Sequence, residues 1–123
     1  MGKFVIRETA TGFTFRLKAS NGEPILVSEV YKAEASCKNG IESVRTNAPV
    51  AKLEDQTAEP CEAQTNPKFE IYKDKAGEFR FRLKARNGEI IGASEGYSAK
   101  AGCLNGIESV RKNAPGAEVV KED

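Results

Sequence analysis

Four sets of side chains in this 123-residue chain stand at spacings that could do chemistry. The first is three cysteines, Cys37, Cys61 and Cys103, in a chain with no histidine. Absence of histidine removes the usual base of a nucleophilic triad, the commonest transition-metal ligand and the proton switch of neutral pH. The cysteines are far apart and form no C-x-x-C, so a zinc site would need an acid as a further ligand. The second is Asn21-Gly22, repeated as Asn87-Gly88. Each lies between apolar runs of strand type, so neither offers a helix N-terminus to a phosphate, and no G-x-G-x-x-G or Walker loop is present. No catalytic residue, cofactor site or metal site is expected.

The third set is Ser28, Glu29 and Tyr31, repeated as Ser94, Glu95 and Tyr97. As a functional element these would form a ligand site in each repeat. As a structural one, carboxylate and hydroxyl would satisfy backbone groups at a strand-to-helix junction while the ring packs over the helix start; orphan donors at such junctions favour this reading. The fourth set is basic. Alternation places Thr14, Arg16 and Lys18 on the outward face of one strand and Arg80, Arg82 and Lys84 on that of another, with Arg7 and Tyr72 flanking. Such a face could hold a single-stranded nucleic acid through its phosphates, Tyr72 serving for stacking. It lacks the two or three aromatics of sheet-based RNA binders, and long basic side chains on a solvated face are commoner.

Composition narrows the field. Nineteen Lys and Arg against 18 Asp and Glu leave a net charge of +1, so overall attraction to nucleic acid or membrane is weak. No apolar run approaches the roughly 18 residues that span a bilayer. Positions 1–6 alternate and do not build a signal-peptide core, and few, unpaired cysteines suit a cytoplasmic protein.

The elements that position these residues come in duplicate. Asn39-Gly40-Ile41-Glu42-Ser43-Val44-Arg45 returns unchanged at 105–111, and residues 13–51 match 79–117 at 27 of 39 positions without a gap. The chain is a tandem duplication, read as one domain with repeat 1 at 1–53, an acidic linker at 54–67 and repeat 2 at 68–123. Each repeat opens with alternating strands: Phe4 and Ile6 against Val5 and Arg7, then Phe13, Phe15, Leu17 and Ala19 inward. Asn21-Gly22 predicts a two-residue type I′ hairpin. A third strand covers Ile25-Leu26-Val27. Ala33, Cys37, Ile41, Val44 and Ala48 then share one face of a helix closed by Pro49. In the second helix Ser98 is the expected N-cap. Gly40 and Gly106 in mid-helix imply a close approach by a neighbour. Short fourth strands follow at Ala51-Lys52-Leu53 and 117–120. All six phenylalanines fall on inward strand positions. The linker's acids, including Glu54 and Asp55, are expected to keep a mobile segment solvated.

Phe-x-Phe-x-Leu-Lys-Ala-x-Asn-Gly, then Ser-Glu-x-Tyr, then Asn-Gly-Ile-x-Ser-Val-Arg, in that order and twice over, resembles the YegP-like family of small bacterial domains of unknown function. The resemblance implies two β-β-β-α-β units that form one sheet and exchange their final strands. The inward phenylalanines and the smaller apolar residues of the helices add two helices on one face of an antiparallel sheet, an α+β fold. The resemblance implies no activity. The expectation is therefore a monomeric, non-catalytic structural or protein-interaction module, with weak nucleic-acid binding by Arg16, Lys18, Arg80, Arg82 and Lys84 as the alternative.

Overall fold

A computed structural model describes residues 2–122; Met1 and Asp123, the outer ends of the two repeats, lie outside it. Repeat 1 supplies β1 (Lys3–Thr9), β2 (Gly12–Lys18), β3 (Pro24–Val27), α1 (Glu34–Asn47) and β4 (Lys52–Asp55). Repeat 2 supplies β5 (Lys68–Lys73), β6 (Phe79–Lys84), β7 (Ile90–Ala93), α2 (Lys100–Asn113) and β8 (Glu118–Glu122). All strands join one eight-stranded sheet in the order β4-β5-β6-β7-β3-β2-β1-β8.

Each final strand sits beside the other repeat's first strand: β4 pairs with β5, and β8 with β1. These outer pairs are parallel, whereas the six inner strands pair antiparallel. The sheet is thus mixed, and period-two patterning, which carries no strand direction, could not announce it. β4 also runs two residues past the expected strand end, so Glu54 and Asp55 belong to the sheet and not to the linker. Val27 faces Ala93, its own duplicate, across the β3–β7 pair, which puts the pseudo-twofold between them.

One face is covered. Phe4, Phe15, Phe69 and Phe81 are fully buried, Phe13 and Phe79 pack at the core's margin, and the stripes Cys37, Ile41, Val44, Ala48 and Cys103, Ile107, Val110, Ala114 close over them. α1 packs on β2 and on β7, and α2 on β6 and on β3, so each helix bridges the two repeats. Near the pseudo-twofold the duplication has to break. A methyl group on Gly92 would come within 2.7 Å of Leu26, so the one leucine fills the space that two would contest.

Three local expectations are corrected. Asn21 and Asn87 have negative φ, and the hairpins are three-residue loops closed by Gly22 N–H to the Ala19 carbonyl (2.9 Å) and Gly88 N–H to Ala85 (2.9 Å). Glycine alone takes the left-handed position, at φ +87° and +84°. The asparagine instead accepts from a backbone N–H, Glu23 or Glu89, at 3.0 Å, as in a type I turn with a glycine bulge. Ser98 is not a cap: Ala99 holds the N-cap position and no side chain bonds there. The acidic linker is held down by Glu54, which is buried and accepts from Gln64 N–H (2.8 Å) and Gln56 Nε2 (2.7 Å).

The duplicated heptapeptide now has a physical account. Gly40 and Gly106 lie under the tyrosines: a methyl on Gly106 would stand 2.5 Å from Tyr97 Oη and 2.9 Å from the Phe81 ring. Arg45 donates to the Ala117 carbonyl and Arg111 to that of Ala51 (2.8 Å), so each helix clamps the other repeat's final strand where it enters the sheet. The same guanidinium groups lie 5.5 Å from the Phe4 ring centre and 5.3 Å from that of Phe69.

Gly106→Ala should therefore destabilise the protein by about 1 kcal/mol, because overpacking of about 2 kcal/mol, the middle of the usual range, outweighs a helix-propensity gain of about 1. Adding Tyr97→Phe, which removes the nearest atom, should recover part of the loss. Urea unfolding of the three proteins checks this; a neutral or stabilising Gly106→Ala would mean the close approach does not fix the glycine.

Candidate functional site

The sheet's second face carries the basic stripe. Cross-strand register puts Arg82 opposite Glu70, Arg80 opposite Tyr72 and Lys84 opposite Lys68 on the repeat 2 side. On the other side Arg16 faces Val5, Thr14 faces Arg7 and Lys18 faces Lys3. β3 and β7 separate the two basic strands, so the stripes are three strand spacings apart, about 14 Å.

Their electrostatics differ. Arg80 Nε meets Asp74 Oδ2 at 2.6 Å and Arg82 Nε meets Glu70 Oε1 at 2.6 Å. Lys84 Nζ and Lys68 Nζ reach the other oxygen of Glu70 at 3.3 and 3.2 Å, and Lys68 also meets Glu54 at 2.7 Å. Glu70 is 2% exposed, as deeply covered as the core phenylalanines' neighbours. Burial pushes its carboxyl up, but hydrogen bonds from Arg82 and Lys68 more than reverse this and hold it below the usual range. Glu54, bonded by Gln56, Lys68 and the Gln64 amide, is brought down to about 2. Arg80, Arg82 and Lys84 are thus each engaged by a carboxylate within the protein, and the Arg82 guanidinium lies 4.6 Å from the Tyr72 ring centre, where a stacking base would have to sit. Arg16 and Lys18 have no carboxylate within 4.0 Å among the described residues. The five cations of the stripe form two unequal groups, not one field.

The junction residues divide between the two faces. Ser28 Oγ accepts the Phe15 N–H (2.9 Å) and donates to the Glu29 carbonyl (2.8 Å), and Ser94 does the same for Phe81 and Glu95 (2.9 and 2.8 Å). Tyr31 and Tyr97 turn to the helix side, stacked on Phe15 and Phe81 with ring centres 6.3 and 6.4 Å apart. Burial raises both phenols. The Glu29 and Glu95 side chains accept no hydrogen bond among the described residues. Both line a shallow depression of about 440 Å3 on the open face, floored by Val27, Ala93 and Ile90 and walled by Tyr72, Arg80 and Arg82. The structure thus brings Ser28, Glu29, Ser94, Glu95, Arg80 and Arg82 to one place and leaves out Tyr31, Tyr97, Arg16, Lys18 and Lys84.

Cys37 and Cys103 are buried free thiols, raised by burial, Cys103 to about 11, while Cys61 is exposed. Among the described residues no three His, Cys, Asp or Glu gather to hold a metal ion, and no helix is long and apolar enough to cross a membrane. What sequence reasoning missed is the Glu54–Lys68–Glu70–Arg82 network. Its only signal was the alternation that puts Glu70 on the same side as Lys68 and Tyr72.

Comparison with known proteins agrees with this architecture. A family described as a domain of unknown function (DUF1508) matches residues 9–55 and again 74–120. A UPF0339 protein from the 5′ region of the ptx operon of Stutzerimonas stutzeri is 40% identical over 98% of this chain and 96% of its own length. The UPF0339 protein YegP of Yersinia pestis is 44% identical over 92% of this chain and 88% of its own. A UPF0339 protein of Treponema denticola is 72% identical over 54 residues, which is 44% of this chain and 93% of that protein, the length of one repeat. The solution NMR structure of yegP from E. coli, a protein of unknown function, superposes with a TM-score of 0.79 at 35% identity over 98% of this chain and 92% of that one. The chain belongs to the DUF1508 family, a family of unknown function, as a tandem of two of its domains.

Proposed function

We propose that this chain is a non-catalytic module that binds a protein partner through the open face of its sheet, acting as a monomer in the cytoplasm. The lining of the central depression carries this reading. Its floor is apolar, and its walls hold charges of both signs, Arg80 and Arg82 against Glu29 and Glu95. A peptide presents apolar, acidic and basic groups together and fits such a surface. A polyanion meets two unpaired carboxylates there, and its basic partners are already bonded to Asp74 and Glu70. The internal exchange of β4 and β8 supports the monomer, because one chain completes both halves of the sheet.

Affinity capture from native lysate, with and without nuclease, tests the reading when the wild type is run beside a Glu29→Lys/Glu95→Lys variant. Both residues are exposed, so the variant should fold normally. A protein retained by the wild type, lost by the variant and indifferent to nuclease is the expected result. Retention that depends on nucleic acid, or that the variant does not change, would remove the proposal.

A further inference from the structure

The duplication supplies an internal control for the open face. In repeat 2, Arg82, Lys84 and Lys68 surround the Glu70 carboxylate, with Glu54 on the next strand taking part. Register maps each of these onto repeat 1. Arg16 stands for Arg82, Lys18 for Lys84 and Lys3 for Lys68, and the three cations are kept. The two anions are not. Val5 stands where Glu70 would be, and Val120, paired with Val5 on β8, stands for Glu54.

The consequence is a cationic cluster around a hole in the charge pattern. Lys3 and Lys18 are direct cross-strand partners, and like charges so placed repel one another. In repeat 2 the same repulsion between Lys68 and Lys84 is relieved because both bind one oxygen of Glu70. In repeat 1 the nearest acids in register are Glu118 beside Lys3 and Glu122 beside Arg7. Glu122 is engaged by Arg7 at 2.7 Å, and Glu118 lies within 4.0 Å of no cation among the described residues. Val5 is 7% exposed, so a ligand here would rest on an apolar floor with the basic side chains above it.

We infer that Arg16, Lys18 and Lys3 form a binding site for a carboxylate from an acidic side chain of a protein partner, which takes over Val5 the place that Glu70 holds in the other repeat. The occupant is read from the same protein: repeat 2 shows that this arrangement of one guanidinium and two ammonium groups accepts a glutamate carboxylate. The inference names the chemistry of the partner proposed above and rests on that reading, but its test does not.

The test grafts the missing anion. A fluorescently labelled hexaglutamate peptide is titrated against the full chain by anisotropy at low salt. Val5→Glu should lower its affinity at least about tenfold, because the new carboxylate occupies the site from within. Arg16→Gln/Lys18→Gln, at half-exposed positions, should weaken binding to a similar degree without unfolding the protein, and adding Val5→Glu to it should do little more. Lys84→Gln, which alters the repeat 2 counterpart of Lys18, already paired with Glu70 and outside the central depression, should leave the affinity unchanged. Equal peptide binding by all four variants, or none by the wild type, overturns the inference. So does a labelled single-stranded oligonucleotide of matched charge that binds in a Val5→Glu-sensitive way while the peptide does not. If the peptide behaves as expected but lysate capture does not depend on Glu29 and Glu95, the anion site stands and the central depression is not the docking surface.

Discussion

A chain opened near Thr57 should remain one folded particle at high concentration and should lose both halves together on dilution. Residues 59–63, just past Thr57, are exposed and belong to no element, so a protease site can be placed there without touching the sheet. The two pieces then share everything that matters. β4 of the first lies beside β5 of the second, β8 of the second beside β1 of the first, and β3 meets β7 at the pseudo-twofold. α1 and α2 each cover a strand of the other piece. Alone, a piece of this size is marginal in the surface it can bury, and here it would also lose the other piece's final strand and helix. While intact, the linker keeps the halves at an effective concentration on the order of millimolar. Opening it at about 1 µM protein therefore removes a factor of about a thousand, or about 4 kcal/mol. Co-elution of the fragments in gel filtration, with a circular dichroism signal that falls on dilution for both at once, is the expected observation. Two stable folded monomers would show instead that each repeat is self-sufficient.

How much of this was legible in the sequence depends on the range of the interaction. The stripe Phe13, Phe15, Leu17 and its copy, and the helical spacing of Cys37, Ile41 and Val44, are local patterns, and their residues land in the core or, for Phe13 and Phe79, against its margin. The hairpins were legible in place but not in type. Asn-Gly suits both the two-residue turn and the three-residue loop, and the choice fell to Ser20 and Arg86, which join the loops and let asparagine keep a negative φ. The direction of β4 and β8 was not legible, because alternation is the same in parallel and antiparallel strands. The clamps of Arg45 on Ala117 and Arg111 on Ala51 join residues 72 and 60 positions apart, and only the strand exchange brings them together.

The candidate site divides in the same way. The basic residues were visible as a stripe because β-strand alternation is local. Their pairing was not, since it depends on the β5–β6 register that sets Glu70 against Arg82 and within reach of Lys84, and on Asp74 turning back to Arg80. Counting Arg80, Arg82 and Lys84 as available charge therefore overstated the field, and the repeat that looked poorer in cations is the one that has them unengaged.

Glu70→Ala should destabilise the protein by about 3 kcal/mol, the lower end of the range for breaking a buried ion pair. The lower end applies because Arg82 and Lys84 keep side-chain exposures of 28% and 26%, so both can turn to water once their partner is gone, whereas Lys68 at 13% cannot do so as freely. The same network predicts the acid limb of stability. Glu54 titrates at about 2 in the folded protein against an ordinary 4.5, and Glu70 is also lowered. A carboxyl with a depressed folded pKa binds its proton more readily in the unfolded chain. Its contribution is complete above about 4.5 and is lost as pH falls through about 2. The wild type should thus lose stability steadily across that interval, and Glu54→Gln/Glu70→Gln should be weaker at pH 7 but show a shallower decline. Urea midpoints from pH 7 to pH 2 measure both. Parallel curves for the two proteins would mean that the acid sensitivity arises elsewhere, with Asp74 on Arg80 the next carboxylate to remove.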